Sequence, residues 1–138
     1  MKIRIELSEG ASLPKKAHLT DAGHDLTALS VDVKSDIYVE YDTGVKIDVP
    51  VGYVALIFPR SSVSGRGMTL ANSVGVIDPA YRGTIKVRFY APYKQLIYSP
   101  GERVAQLTVI KTEDLDFNVV QSIEDTERGI GGFGSSGS

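Results

Sequence analysis

Residues 84–90 read Thr84-Ile85-Lys86-Val87-Arg88-Phe89-Tyr90. Apolar and polar side chains alternate with a period of two along this stretch, which is typical of a strand with one buried face. The same alternation, rich in Val, Ile, Thr and Tyr, occurs in residues 2–7, 44–49 and 103–110. Residues 51–58 are almost continuously apolar, so we predict that they form a strand buried on both faces.

Turn residues separate these predicted strands at positions 42–44, 50–52 and 99–101. No window of ten or more residues has a clean helical period. The best candidate for a helix is one short turn after Arg60, where Ser61 would cap Val63 and Ser64. Many short strands with regular turns predict an all-β barrel or sandwich.

Composition narrows the possible functions. The 138 residues suit one domain, and 42% hydrophobic with 23% charged residues is an ordinary globular balance. A net charge of −2 gives no basic footprint for duplex nucleic acid and no polybasic membrane patch. The chain has no cysteine, which excludes disulfides, thiolate nucleophiles and cysteine metal sites, and two histidines alone do not make a zinc site. No signal peptide or transmembrane run precedes residues 2–7, so we expect a soluble, intracellular, cytoplasmic protein.

The character of the chain changes from about residue 112, where acidic residues thin out the apolar pattern. Residues 129–138 contain five glycines and three serines, so this tail cannot pack a core by itself and we expect it to be mobile. With Arg128, the tail is similar in kind to a glycine loop that wraps phosphates, and the alternative is a flexible terminus. Phe133 argues against a pure linker.

The segment before the first quoted strand reads Gly75-Val76-Ile77-Asp78-Pro79-Ala80-Tyr81-Arg82-Gly83. Its acid ends an apolar run, and its aromatic ring follows three residues later. We predict a β-hairpin pocket in which both face one small molecule. Asp78 is a candidate general base, because desolvation beside an apolar run suits a carboxylate to that role. The alternatives are a turn aspartate for Asp78 and a core residue for Tyr81.

Other segments contain candidate binding groups. Arg60, Ser61 and Ser62 form a phosphate-recognition set, since arginine supplies a planar fork of donors and the hydroxyls add more. The alternative is a surface arginine beside a helix cap. Asp25 is a metal-side carboxylate or the acid of an Asx turn. Gln106 binds a phosphate or a water, or is a polar residue on a strand face.

These segments stand in one order along the chain: residues 21–26, 59–62, 75–83, 101–106 and 128–137. Together they resemble the five ordered motifs of the trimeric dUTP pyrophosphatases, the dUTPases. The third segment and the tail, Arg128-Gly129-Ile130-Gly131-Gly132-Phe133-Gly134-Ser135-Ser136-Gly137, are the most specific of the five.

The resemblance implies a distorted jelly-roll-like β-barrel with one short helix and a flexible C-terminal arm. Residues 1–127 would form the barrel domain. Residues 128–138 would form the arm, which closes over the active site of a neighbouring subunit. It also implies a homotrimer with shared sites, in which one chain gives the hairpin, a second the phosphate-binding motifs and a third the arm.

The implied reaction is hydrolysis of dUTP to dUMP and pyrophosphate, which keeps uracil out of DNA and supplies dUMP for dTMP synthesis. By resemblance, Asp78 activates the water that attacks the α-phosphorus, and Mg²⁺ assists. Asp25 would reach the Mg²⁺ ion through water, which suits an ion held mainly by substrate phosphates. The resemblance implies substrate contacts for three groups of residues: Asn72, Gly75, Val76, Ile77, Tyr81 and Lys86 at the nucleoside; Arg60, Ser61, Ser62 and Gln106 at the phosphates; Arg128, Phe133, Gly134, Ser135 and Ser136 in the lid.

Some positions depart from the family pattern. Ser62 replaces a frequent Gly, His24 a common Tyr, and residues 64–67 a more apolar loop.

A dCTP deaminase on the same fold is disfavoured, because the strand position where that enzyme has a glutamate is Arg88 here. A regulatory role with a protein partner stays open, since intact motifs favour catalysis without opposing a second function.

Overall fold

The computed structural model describes residues 1–132, which form short β-strands and two 3₁₀ helices. The all-β prediction is confirmed. The strands are β1 (Arg4–Leu7), β2 (His24–Thr27), β3 (Ser30–Ser35), β4 (Tyr38–Asp42), β5 (Val45–Asp48), β6 (Tyr53–Pro59), β7 (Thr69–Leu70), β8 (Gly75–Ile77), β9 (Lys86–Tyr90) and β10 (Arg103–Lys111). The first 3₁₀ helix is Ser61–Arg66 and the second is Lys94–Leu96.

The strands pair antiparallel in two four-stranded sheets and one two-stranded ribbon. The first sheet has the order β2-β10-β6-β8, the second has the order β3-β4-β9-β7, and β1 pairs with β5. No ladder among the described residues joins the two four-stranded sheets, so the barrel is not closed. The jelly-roll-like prediction is confirmed in this open form.

The core collects the buried side chains of both sheets. Along β9, Val87 and Phe89 are buried while Lys86, Arg88 and Tyr90 are exposed, as the period of two predicts. Each fully buried valine or phenylalanine side chain stabilises the fold by about 1.5–3 kcal/mol. The largest core side chains include Tyr41, Tyr98, Phe89, Leu26 and Ile85.

Strand β6 differs from its prediction. Only Ala55 and Ile57 are buried, and the intervening side chains are half-buried. The prediction of burial on both faces is therefore wrong for the described chain. The strand is central in its sheet, since β10 and β8 pair with its two edges, but only one of its faces meets the core.

The predicted helical turn after Arg60 is the first 3₁₀ helix. Arg60 is its N-cap residue and no side chain caps it, so the cap predicted for Ser61 is wrong. Ser61 instead begins the helix, and its carbonyl accepts a hydrogen bond from Ser64 Oγ at 2.9 Å. Gly67 ends the helix in the left-handed region at φ 59°, which favours glycine.

The outer face of the second sheet contains a buried charge. Glu40 is only 7% exposed, and it accepts hydrogen bonds from Arg88 Nε at 2.6 Å and Lys86 Nζ at 3.4 Å. Burial raises the pKa of Glu40, but the hydrogen bonds from Arg88 and Lys86 outweigh it and leave the pKa below its usual value. Lys86, predicted to lie near a nucleoside, therefore has its ammonium group at this carboxylate.

Residues 112–132 lie outside the strands and helices, and nearly all of them are exposed. Their strongly exposed apolar side chains include Phe117 at 83%, Val119 at 94% and Ile123 at 87%. In the part of the chain that the structure describes, no helix is long and apolar enough to cross a membrane.

Candidate active site

Three neighbouring strands of the first sheet place four of the predicted residues around one cleft. Gln106 on β10 is opposite Asp25 on β2 and opposite Phe58 on β6. Arg60 follows the end of β6, and its side chain reaches back to Asp25. The cleft has a volume of about 290 Å³, and its lining includes Asp25, Arg60, Ser61 and Gln106. Residues far apart in the sequence meet here because their strands are hydrogen-bonded neighbours.

Two arginines hold the carboxylate of Asp25. Arg60 Nε donates to Oδ1 at 2.8 Å, and Arg103 Nη1 donates to Oδ2 at 2.9 Å. The Asp25 side chain is 15% exposed, so its charge is largely desolvated and needs such partners. Asp25, a candidate metal-side carboxylate in the sequence, thus binds two guanidinium groups in the structure and fixes the position of Arg60 in the cleft.

Arg103 is the residue that the sequence reading missed. Residues three apart on a regular strand face opposite sides, so Arg103 and Gln106 are not expected to point the same way. A register shift between Arg103 and Ala105 breaks the alternation, since it inserts an extra residue into β10. The bulge brings Arg103 to Asp25. In the sequence, Arg103 is distinguished only by its place in residues 101–106, the fourth of the five ordered segments.

Gly23 lets the side chain of Gln106 lie over the β2 end of the cleft. A Cβ atom at Gly23 would collide with Gln106 Oε1 and lie 3.1 Å from the Gln106 Cβ. Gln106 Nε2 donates to the carbonyl of Pro59 at 3.0 Å, which fixes the amide across the strands. The glycine of residues 21–26 therefore has a packing role that the sequence did not reveal.

Asp21 adds a second carboxylate to the lining of the cleft. Its Oδ2 accepts the backbone N–H of His18 at 2.8 Å, and this hydrogen bond holds the pKa of Asp21 below its usual value. Within residues 1–132, no three His, Asp or Glu side chains converge in a way that could hold a metal ion. A cation in this cleft would need most of its ligands from a bound anion or from water.

The first 3₁₀ helix places Ser61 and Ser62 beside Arg60. Both serines are exposed, and Ser61 lines the cleft. Ser62 Oγ lies 3.5 Å from Arg60 Nη1 and 3.3 Å from the Tyr98 hydroxyl. The Arg60 guanidinium group and the Ser62 hydroxyl thus lie side by side, and Ser61 lines the cleft next to them.

Residues 75–83 form a strand and a turn, but they are not one arm of a ladder with residues 84–90. Strand β8 pairs with β6 in the first sheet, whereas β9 pairs with β4 and β7 in the second. The predicted hairpin is therefore wrong. The segment crosses from the first sheet, which contains β8, to the second sheet, which contains β9.

The turn after β8 joins Asp78 and Tyr81 through a backbone hydrogen bond and fixes the Tyr81 ring. The backbone N–H of Tyr81 donates to the carbonyl of Asp78 at 3.0 Å, and the Tyr81 hydroxyl donates to Thr84 O at 2.9 Å. A Cβ at Gly83 would lie 2.7 Å from Tyr81 Cζ, so only glycine lets the ring pack there. Asp78 is exposed in this chain, and the expected desolvation by its own apolar run is absent.

Asp78 and Arg60 lie at opposite ends of β6. The β6–β8 register pairs Ala55 with Ile77, so Asp78 continues opposite Val54. Arg60 is six residues beyond Val54, which along a strand corresponds to about 20 Å. One chain therefore does not bring the predicted general base to the arginine cleft.

The remaining predicted residues fall into three groups. Asn72 is exposed in the turn before β8, with its Nδ2 3.7 Å from an ideal Cβ position on Gly75. Arg128 is exposed, and its Nε donates to Gly131 O at 3.1 Å within its own turn. The predictions for Phe133, Gly134, Ser135 and Ser136 lie outside the described residues.

The comparisons with known proteins cover nearly the whole chain. The family model described as dUTPase matches residues 9–137. The chain belongs to the dUTPase family. A deoxyuridine 5'-triphosphate nucleotidohydrolase of Corynebacterium glutamicum is 41% identical over an alignment of 137 residues, which covers 96% of this chain and 92% of that protein. The enzyme of the same name from Escherichia phage T5 is 38% identical and is matched over 99% of both chains.

Solved structures agree with this assignment. A mutant dUTPase of Staphylococcus bacteriophage 80alpha, solved with dUpNHpp, superposes with a TM-score of 0.84 at 25% identity and covers 99% of both chains. The predictions of the family and of a dUTP-hydrolysing enzyme of nucleotide metabolism are confirmed. For a dUTPase, the arginine cleft and the turn of Asp78 and Tyr81 are the two candidate parts of the active site.

The packing of Gln106 on Gly23 can be tested by the Gly23→Ala substitution, which adds one methyl group. We expect Gly23→Ala to lower dUTP hydrolysis by about tenfold or more, because the Gln106 amide must leave its place in the cleft. Gly65→Ala is the matched control, since a Cβ at Gly65 meets nothing within 4 Å. Initial rates of the two variants decide the question. Equal activity of Gly23→Ala and Gly65→Ala would contradict the role given to this contact.

Proposed function

We propose that the enzyme hydrolyses dUTP to dUMP and pyrophosphate by attack of an Asp78-held water on the α-phosphorus. The observation that carries the proposal is the meeting of Asp25, Arg60, Ser61 and Gln106 in one cleft. The family assignment supplies the substrate, and the 80alpha phage relative was solved with dUpNHpp. The same reaction would keep uracil out of DNA and supply dUMP for dTMP synthesis, and we propose the cytoplasm as its place.

The nucleoside would bind at β8 and the following turn. β8 is the last strand of its sheet, and β6 pairs with only one of its edges. The backbone groups of Gly75, Val76 and Ile77 on the other edge would then read the uracil, together with Asn72. Such readout rejects a wrong base strongly, since a mismatch leaves buried polar groups unpaired. Tyr81 would lie under the deoxyribose.

The phosphates would bind in the arginine cleft. Arg60 would use the donors of its guanidinium group that Asp25 does not occupy, and Ser61 and Ser62 would add hydroxyl donors. Gln106 would lie near the phosphates and the attacking water. These preorganised donors would stabilise the charge that spreads over the phosphate oxygens in the transition state.

The cleft fits Mg²⁺ in a specific way. Each Asp25 oxygen accepts one arginine hydrogen bond, and a carboxylate oxygen has a second lone pair for a water. Asp25 would therefore hold a water ligand of the ion, and substrate phosphates would supply its direct ligands. When bound, Mg²⁺ neutralises phosphate charge and polarises the α-phosphorus for attack.

Asp78 would perform the proton transfer. Its carboxylate would accept a hydrogen bond from the attacking water and take its proton as the oxygen bonds to the α-phosphorus. The bond from that phosphorus to the bridging oxygen breaks, and pyrophosphate leaves. Burial of Asp78 by substrate and neighbouring subunits would then provide the desolvation that this chain alone does not.

We further propose that the active site is shared in a homotrimer. The separation of about 20 Å between Asp78 and Arg60 within one chain supports this, since both would act on one triphosphate. The exposed Phe117, Val119 and Ile123 also support it, because such a row of apolar side chains before the arm needs a protein surface to cover it. Residues 1–127 would be the barrel domain, and residues 128–138 the arm that closes over a neighbouring site.

The Asp78→Asn variant separates substrate binding from proton transfer. We expect Asp78→Asn to bind dUpNHpp with nearly normal affinity and to lose roughly a hundredfold or more in turnover, because an amide cannot accept the proton. Pyrophosphate release from dUTP with Mg²⁺ measures the loss. Asp36→Asn changes an exposed carboxylate in the turn between β3 and β4, and it should have normal activity. Full activity of Asp78→Asn would contradict the proposed mechanism.

Removal of the arm tests the domain division. We expect deletion of residues 128–138 to lower turnover by about tenfold or more while the trimer remains, because the arm orders the phosphates and excludes water without joining the barrels. Deletion of Ser138 alone is the control. Turnover and the mass in sedimentation are measured together. A truncated protein that dissociates into monomers would show that the arm is structural.

A further inference from the structure

The hydroxyl of Ser62 has a second neighbour that the proposed mechanism does not use. Among the described residues, Ser62 Oγ lies 3.5 Å from Arg60 Nη1 and 3.3 Å from the Tyr98 hydroxyl. Arg60 is part of the cleft, but Tyr98 comes from the loop before β10. Tyr98 lies outside all five motifs of the sequence.

Tyr98 is fixed by the core on one side. It is 2% exposed, and its ring centroid lies 6.1 Å from that of Tyr41 and 6.2 Å from that of Phe89. The Tyr41 hydroxyl donates to the carbonyl of Tyr98 at 3.1 Å. Burial raises the pKa of Tyr41 to about 12, so this donor keeps its proton over the whole neutral range. The ring therefore has one orientation, and its hydroxyl is aimed out of the core at Ser62.

Arg66 fixes Tyr98 on the other side. Its guanidinium carbon lies 4.0 Å above the centre of the Tyr98 ring, a cation–π geometry. Its Nη1 donates to the carbonyls of Leu96 and Ile97 at 3.1 Å each, and its Nη2 donates to Glu102 Oε1 at 2.6 Å. Arg66 is the last residue of the helix that contains Ser62, so it joins that helix to the loop of Tyr98.

Glu102 completes the connection. Its Oε2 accepts the backbone N–H of Ser99 at 2.6 Å, while Oε1 accepts from Arg66. The hydrogen bond from the Ser99 backbone is the main reason that the pKa of Glu102 lies below its usual value, and the hydrogen bond from Arg66 lowers it further. The carboxylate thus stays charged and keeps the loop and Arg66 together.

We propose that Tyr98 and Arg66 are positioning residues that orient the Ser62 hydroxyl toward a substrate phosphate. A serine hydroxyl has one proton to donate and two lone pairs to accept. A phosphate oxygen only accepts hydrogen bonds, so the Ser62 hydroxyl would donate its one hydrogen bond to the phosphate. Tyr98 must then donate to Ser62 Oγ, and Arg60 Nη1 occupies the second lone pair. This inference rests on the proposed phosphate role of the cleft.

A double-mutant cycle tests the coupling between the two hydroxyls. Tyr98→Phe removes one oxygen and keeps the ring, its packing and the contact with Arg66. We expect it to lower kcat/KM for dUTP by about fivefold in the otherwise normal enzyme, and to have no effect in the Ser62→Ala background. Thermal unfolding should be nearly unchanged, which a purely structural role would not predict. Tyr93→Phe is the matched control and should have normal activity, because Tyr93 is exposed and lies before the second 3₁₀ helix in the same connection between β9 and β10.

Arg66 is tested by a conservative change. Arg66→Lys keeps the charge but loses the planar stacking and the forked hydrogen bonds. We expect it to lower kcat/KM as Tyr98→Phe does, and again only when Ser62 is present. A fivefold loss that persists in the Ser62→Ala background, for either variant, would overturn the proposal. A Ser62→Ala enzyme with normal kcat/KM would also overturn it.

Inorganic pyrophosphate binding provides the readout that does not depend on turnover. Calorimetry with pyrophosphate and Mg²⁺ should show weaker binding for Tyr98→Phe than for the unchanged protein, and no such difference in the Ser62→Ala background. If the unchanged protein bound pyrophosphate but did not hydrolyse dUTP, the proposed reaction would fail while this cycle still decided the role of Tyr98. Equal pyrophosphate binding by all four proteins would overturn the positioning role.

Discussion

The register of strand β6 against its two neighbours determines where the candidate active-site residues lie. On one edge, β10 brings Gln106 opposite Phe58 and next to the start of the Arg60 segment. On the other edge, β8 pairs Ala55 with Ile77 and sends Asp78 toward the opposite end of the strand. A slip of one residue would turn the side chains of β6 to the other face and empty the cleft. The division of the site into two parts is therefore a consequence of the sheet itself.

Within the cleft, one partly buried carboxylate organises the cations. Asp25 holds Arg60 and Arg103 in place before any phosphate arrives. In the proposed mechanism this arrangement would favour catalysis, because donors that are already oriented need no reorganisation in the transition state. The proposed positioning of Ser62 by Arg66 and Tyr98 extends the same principle, because it would link core packing to the 3₁₀ helix Ser61–Arg66.

The sequence predicted the β-rich architecture because alternation is a local property, visible in β9 and β10. It also selected Asp25, Arg60 and Gln106 as candidates from their residue types and order, and the structure places these three side chains in one cleft. It could not predict the contacts that depend on long-range pairing. Three features arise from strands far apart in sequence. They are the bulge that turns Arg103 to Asp25, the crossover that replaces the predicted hairpin, and the close approach of Gln106 that leaves no room for a side chain at position 23. The Tyr98–Ser62 contact lies between two short irregular segments and has no sequence signature.

The central claim is that one dUTPase active site takes Asp78 and Arg60 from different chains. Mixed trimers made from equal amounts of Arg60→Ala and Asp78→Asn chains test it directly. Random assembly should restore about a quarter of normal activity, since one site in four receives both intact residues. A mixture of Arg60→Ala and Gln106→Ala chains is the control and should stay inactive, because both residues belong to the cleft of one chain. Activity of the Arg60→Ala and Asp78→Asn mixture no higher than that of its parents would contradict the account.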